Sequence, residues 1–446
     1  MELDTMPSKI NSKQLKLFLL MQSMFILPLL TPEIAAAAVI IKDTNYSVPD
    51  NAYFVSPNAD SNNSGKSANS PLPVEKAVAL APNGGTIVFL NGTYRNVNTR
   101  INKKLTLQAH PDAKALLKGS VVVEGWVADG STWRKDGWSE SLRLNSMKDI
   151  TIDPDYPLAG HTDMVYVDGE SLKQVGSKAN VGPGKFYVDR ANNKLYIGTN
   201  PGSKTVEATT EENAFSLSST SQGKASGTVI RGLGFAHYAE DAIGIWNTHN
   251  VTLENNTFVW NGLRGAHFRQ STDGVVRGNT FSFNGANGIR GAHANRILLE
   301  GNTFSYNNVE HFRKDYTAGG MKVIATEGAV WRNNLFEHNI GNGIWTDGSS
   351  YNFTIQNNTI RNNEQIGVML ELSHKAIVSG NTISNSPCGI MIADTSSVQA
   401  YNNTLSANKS QIIVKDSKRV NTNRAEIAKG IAWITRNNVI ENNRML

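Results

Sequence analysis

Two acidic residues, Asp347 and Glu371, close two matching strand-like segments, Gly343-Ile344-Trp345-Thr346-Asp347 and Gly367-Val368-Met369-Leu370-Glu371. Side chains of an extended segment alternate between faces, so the first and third residues after each glycine share one face and the second and fourth the other. Apolar Ile344 and Val368 mark the inward face, which leaves Trp345, Asp347, Met369 and Glu371 pointing outward. If the two segments are neighbouring strands, the carboxylates stand about 5 Å apart, the separation at which one can attack an anomeric carbon while the other protonates the leaving oxygen. Like charge at that distance also drives the proton affinities of such a pair apart, which divides the labour between acid and nucleophile. The positions equivalent to the two acids in other segments are Ala292, Ile324 and Ala393, so acids are not the default there. The preceding outward column reads Arg290, Lys322, Trp345 and Met369 and is expected to form a groove floor. In it Trp345 would stack on a sugar ring and Lys322 would hold a hydroxyl or the nucleophile. A loop, Glu310-His311-Phe312-Arg313-Lys314-Asp315-Tyr316, immediately precedes Lys322, and Asp315 and His311 are expected at the border of the cleft. Arg264, His267, Arg269 and His293 form a basic group on earlier segments and read as surface or turn residues.

What positions these residues is a repeat. The second Asn of a recurring beat falls at Asn256, Asn279, Asn302, Asn334, Asn358, Asn381 and Asn403, at intervals of 23, 23, 32, 24, 23 and 22 residues. Two residues further on stands Phe258, Phe281, Phe304, Phe336, Ile360, Ile383 or Leu405, and Phe235 extends the series backwards. A period this short, with alternating apolar residues inside it, excludes helix-pair repeats and fits the coils of a parallel β-helix. Like residues then stack at one strand spacing, roughly 4.8 Å, so the Asn column predicts an amide ladder and the Phe/Ile/Leu column an internal stack. The fold expected is all-β: a right-handed parallel β-helix solenoid with an N-terminal cap and a small inserted antiparallel β domain.

Residues 1–38 combine Lys9, Lys13 and Lys16 with an apolar run, Leu17 to Leu30, and a small-residue exit, Ala35 to Ala38, the pattern of a signal peptide. The mature chain is expected to be secreted, periplasmic or extracellular, with no membrane span. Residues 39–118 read as the cap and first coils, with an amphipathic helix from Pro73 to Leu80 laid over the open end. Residues 119–213 lose the beat and gain Trp126, Trp133, Trp138 and the hairpin turns Asp168-Gly169 and Asn192-Asn193, so they read as the inserted domain. Residues 214–446 carry the remaining coils and the groove, with a last coil expected at Gly430 to Asn438. A net charge of +5 without a long basic run or nucleic-acid motif gives no reason to expect nucleic acid. The lone Cys388 reads as packing.

The stretch from Gly319 to Asn381 resembles the catalytic coils of β-helix glycoside hydrolases, the β-xylosidases of glycoside hydrolase family 120 in particular. The resemblance is carried by Gly319-Gly320-Met321-Lys322, Gly343-Ile344-Trp345-Thr346-Asp347 and Leu370-Glu371-Leu372-Ser373-His374. It implies Asp347 as nucleophile and Glu371 as acid/base, with Trp345, Lys322, Arg290, His374 and Asp315 as candidate substrate-binding residues. Gly348 and Lys375 depart from it, standing where an aromatic residue and a glycine are expected. The substrate expected is a poly- or oligosaccharide. No cofactor is expected, with calcium the one ion left open. Two other readings compete: a lyase or epimerase of uronate polymers in which Lys322 or Arg290 abstracts the C5 proton, and a β-helix that binds glycan without cleaving it. The acidic pair would repel a uronate and ranks the lyase second.

Overall fold

The computed structural model describes residues 39–140, 142, 149–218 and 224–446. The signal-peptide expectation for residues 1–38 lies outside the described residues. Three long parallel sheets of twelve, ten and eleven strands run through the described residues, and each coil contributes one strand to each sheet in turn. The register is residue-for-residue from coil to coil. Phe235, Phe258, Phe281, Phe304, Phe336, Ile360, Ile383 and Leu405 occupy one line of the eleven-stranded sheet, all fully buried. The five Phe rings stack with centroids 4.5–5.0 Å apart.

The Asn column forms the expected ladder. Each side-chain amide donates to the carboxamide oxygen of the next Asn, from Asn256 to Asn279 at 3.1 Å through Asn381 to Asn403 at 2.9 Å. The remaining donor hydrogen reaches a backbone carbonyl inside the body, for example Val276 O from Asn302 at 2.9 Å. These amides are buried but satisfied, which is the condition for tolerating polar groups in a core. A second ladder, from Asn261 through Asn284, Asn307 and Asn339 to Asn363, runs beside the first at 2.9–3.0 Å. Each of its rungs lies five residues after a rung of the first.

The helix Val74–Leu80 starts after Pro73 and buries Val74, Ala77 and Val78 against the main core. Between the early and later coils, strands from Ser120–Val122 to Val206–Thr209 build two small sheets around a separate core that includes Phe186, Leu195 and Ile197. Pairing there is antiparallel, except that Lys173–Gln174 runs parallel to Lys185–Asp189. Asp168 and Gly169 both have left-handed backbone, as a tight hairpin requires.

The last coil differs from expectation. Gly430 to Asn438 is not a coil; it belongs to a long excursion that contains a short helix, Arg424–Ala428. The ladder resumes at Asn443, which accepts from Asn403 at 2.9 Å across an interval of 40 residues. The apolar run after Gly430 imitates a strand, but the Asn beat that marks a coil stands at Asn442-Asn443. Among the described residues, no helix is long and apolar enough to cross a membrane.

Candidate active site

Strands Asn342–Asp347 and Ile366–Glu371 are neighbours in the ten-stranded sheet, where Trp345 pairs with Met369 and Thr346 with Leu370. That register sets Asp347 one coil from Glu371, roughly 4.8 Å along the stack. Ile344, Thr346, Val368 and Leu370 point into the body and are fully buried. Ile324 precedes Asp347 in the outward column and Ala393 follows Glu371.

Local chemistry ends each strand directly after this column. Ala325, Gly348, Leu372 and Asp394 all adopt left-handed backbone, with φ of 49°, 50°, 47° and 49°, which turns the chain out of the sheet. A hydroxyl then caps the column residue's carbonyl: Thr326 on Ile324 at 3.1 Å, Ser350 on Asp347 at 3.0 Å, Ser373 on Glu371 at 2.6 Å and Thr395 on Ala393 at 2.9 Å. The Asp347 coil has one extra residue before its hydroxyl, so Ser349 bulges out. Gly348 explains one departure from the family pattern: a Cβ there would lie 2.7 Å from Ile324 Cγ2 in a backbone conformation that already favours glycine.

Each carboxylate has its own cation. Lys322 Nζ lies 2.8 Å from Asp347 Oδ2, donates to the carbonyl of Tyr316 at 2.6 Å, and stands 3.5 Å over the Trp345 ring. The backbone amide of Gly348 donates to Asp347 Oδ1 at 2.6 Å. Trp345 Nε1 donates to Glu371 Oε2 at 3.0 Å, and Arg419 Nη2 lies 2.7 Å from Glu371 Oε1. The acid side chains keep 19 % and 14 % of their surface exposed, which leaves both reachable from solvent. Burial pulls the Lys322 ammonium below its ordinary value, against the opposing pull of Asp347.

The other candidates read from the sequence divide. Trp345 is not an open floor: it is 3 % exposed, because Lys322 covers its face and Met369, Met391 and Ile366 pack around it. It holds Glu371 through its indole N–H and presents no free ring to a sugar. Arg290 precedes Lys322 in the same column and donates from Nη1 to Thr317 Oγ1 at 2.7 Å; burial, reinforced by Arg264, pulls it down to about 10. His267 precedes Arg290 and shares Asp241 with Arg264, at 3.1 and 2.8 Å. Burial acts to raise the Asp241 carboxyl, but Arg264 and His267 outweigh it and hold it well below the usual carboxylate range. Asp315 stays on the loop surface, paired with Arg313 at 2.7 Å, and His311 stacks on Tyr156 at 4.1 Å. His374 lies round the corner in the twelve-stranded sheet, bonded to Ser396 at 2.7 Å and stacked on Tyr351.

Sequence reasoning missed Arg419, the capping hydroxyls and the role of the Tyr316 carbonyl. One signal was available for Arg419. The ladder has two long intervals, Asn302 to Asn334 and Asn403 to Asn443; the first adds Tyr316, whose carbonyl holds Lys322 against Asp347, and the second adds Arg419, which touches Glu371. Inserts in a solenoid gather round its working face. A surface hollow of about 420 Å3, lined by Asn302, Asn333, Asn357 and Arg361 among others, lies between the other two sheets. Among the described residues, no group of three or more His, Cys, Asp or Glu side chains is arranged to hold a metal ion.

With this geometry in view, residues 241–405 match a family model described as a right handed beta helix region. The structure of XylC in complex with xylose superposes with a TM-score of 0.66 at 17 % identity, over 82 % of this chain and 70 % of that one. The chain is a right-handed parallel β-helix. A GH136 lacto-N-biosidase from Eubacterium ramulus superposes with a TM-score of 0.51 at 11 % identity, covering 88 % of this chain and 67 % of that one. No curated protein is significantly similar in sequence. Likeness at these identities speaks for the β-helix itself, and what its outward columns do rests on their chemistry.

Proposed function

We propose that this β-helix is an exported retaining glycoside hydrolase that cleaves a poly- or oligosaccharide. The observation that carries the reading is the pair itself. Asp347 and Glu371 are outward carboxylates one strand spacing apart, each oriented by a cation and by an N–H donor, and each partly open to solvent. One strand spacing, roughly 4.8 Å, fits the closer carboxylate pair of a retaining enzyme better than the wider pair of an inverting one. Asp347 is the nucleophile: Lys322 and the Gly348 amide hold one carboxylate oxygen each and aim it. Glu371 is the acid that protonates the leaving oxygen and the base that later activates water. The XylC structure, solved with xylose, and the GH136 lacto-N-biosidase share the fold and lend the reading weight without assigning a sugar. Neither carboxylate chemistry nor its positioning calls for a cofactor. Lys322 is engaged by Asp347, Tyr316 and Trp345 together, which favours a role in holding the nucleophile over abstraction of a substrate proton.

A panel of aryl glycosides tests the reading. One member of the panel is expected to release its aglycone, and Glu371→Ala should then retain cleavage of activated aryl leaving groups while losing about 10²–10⁴-fold on poor ones. Formation of an unsaturated uronate, or full activity of Glu371→Ala on every substrate, would defeat it.

A further inference from the structure

The second long interval of the ladder brings an additional residue to the acid/base carboxylate. In the two coils before it, the chain passes from the ten-stranded to the twelve-stranded sheet within a short turn, from Glu371 to His374 and from Ala393 to Ser396. After Lys415 it travels to Val439 before pairing again. This excursion is tied down beside both acids. Trp433 Nε1 donates to Ser349 Oγ at 3.0 Å, and Ser349 in turn donates to Glu426. Ser417 donates its amide and its hydroxyl to Asp394, both at 2.6 Å. Arg419 Nε donates to Asp394 Oδ2 at 2.7 Å, and Nη2 bridges Asp394 and Glu371.

The two partners of Arg419 are unequal. The Asp394 side chain is wholly buried and holds Ser417 as well, whereas Glu371 is open on one side. We propose that Arg419 is a positioning residue for Glu371, fixed by Asp394 and holding Glu371 as its exchangeable partner; the assignment rests on the glycosidase reading above. In the first step Glu371 gives its proton to the glycosidic oxygen as the bond to the anomeric carbon breaks and an Asp347 oxygen bonds to that carbon. The carboxylate left on Glu371 forms beside a guanidinium that is already oriented, so no charge has to be rearranged as the leaving group departs. In the second step Glu371 takes a proton from water as the water oxygen replaces Asp347 on the anomeric carbon. Arg419 stays on Asp394 throughout. The charged and polar groups around Glu371 are Trp345, Asp347 and Lys322 on the preceding coils, Asp394 on the next, and Arg419 itself.

Two readouts test this on the whole protein. The Trp345 indole N–H donates to Glu371, so its proton–nitrogen resonance, assigned with Trp345→Phe, reports the protonation of Glu371 without any substrate. In Arg419→Gln the pH midpoint of that resonance should move upward, and Arg419→Lys should restore most of the shift. On glycosides, Arg419→Gln should lose at least about tenfold in kcat/KM with poor leaving groups and little with activated ones. The alkaline limb of its pH profile should follow the resonance. An unmoved midpoint, or a loss equal for all leaving groups, overturns the proposal and makes Arg419 a tether only. Should Arg419→Gln not fold, Asp394→Asn carries the test: it leaves the guanidinium in place but removes its anchor, so the selective loss on poor leaving groups should appear there too, and a wild-type leaving-group dependence would overturn the proposal. Failure of the glycosidase reading looks different: Glu371→Ala would then cleave as the wild type does, whatever the resonance shows.

Discussion

Asn302 and Asp347 both occupy one place per coil in a stacked column, yet the two columns are built on opposite terms. In the ladder every rung is the same residue, buried, neutral and satisfied by the rungs above and below. In the outward column of the ten-stranded sheet the residue changes with each coil, Arg269, Ala292, Ile324, Asp347, Glu371, Ala393. Its acids take their partners from the column beside them, Lys322 and Trp345, and from outside the strands, Gly348 and Arg419. The first pattern can stabilise a body of any length and cannot recognise anything. The second spends stability on two partly buried charges and gains a place where chemistry can occur.

Substitutions in the two columns should therefore fail in different assays. The largest effect expected is on turnover: Asp347→Ala should lose at least about 10⁴-fold in kcat on the substrate found by the glycoside panel. Added azide should restore slow turnover with inverted product, and thermal unfolding should change far less than turnover does. Phe304→Ala should do the reverse, costing about 3–5 kcal/mol in denaturant unfolding because it removes one ring from a continuous stack. Asn334→Ala breaks two rungs and leaves buried groups unpaired on either side, with an expected loss of about 2–3 kcal/mol. Its effect should exceed that of Asn443→Ala, which breaks one.

The first insert offers a subtler contrast. Burial pushes the Glu310 carboxyl up to about 7. A raised folded value means that its stabilising contribution is present at acidic pH and fades as pH rises from the unfolded value of about 4.3 through about 7. Glu310 keeps some exposure, so the decline should be on the order of 1 kcal/mol, and Glu310→Gln should flatten it in thermal scans across that range. Smallest of all, Arg332→Ala removes an exposed pair with Glu300 at 2.7 Å and should change stability by less than about 0.5 kcal/mol.

The regular column was fully legible in the sequence because it repeats: one residue type at a near-constant interval defines its own geometry. The register of Asp347 and Glu371 was legible for the same reason, since both inherit it from the coils. Trp345 was misread because alternation tells which way a side chain points and says nothing about what covers it; Lys322 and the methionines do. Arg419 was missed because it sits 48 residues after Glu371 on a segment without the beat, where the long interval marks an insert but not which of its residues returns to the site. The second Asn ladder was present in the sequence, five residues out of phase with the first, and was overlooked beside the stronger signal.

Rungs close as tightly over the two long intervals as over the ordinary ones: 2.9 Å from Asn302 to Asn334 and from Asn403 to Asn443, against 3.0 Å from Asn279 to Asn302. The body thus registers its layers by what returns, not by how far the chain has wandered in between. Such an architecture separates inheritance of the scaffold from experiment at its rim: a loop can be lengthened, exchanged or deleted between two rungs while the neighbouring layers stay in place. New specificities can arise there by recombination of short segments, and a designer can work in the same way, cutting at the turns and leaving every asparagine where it is.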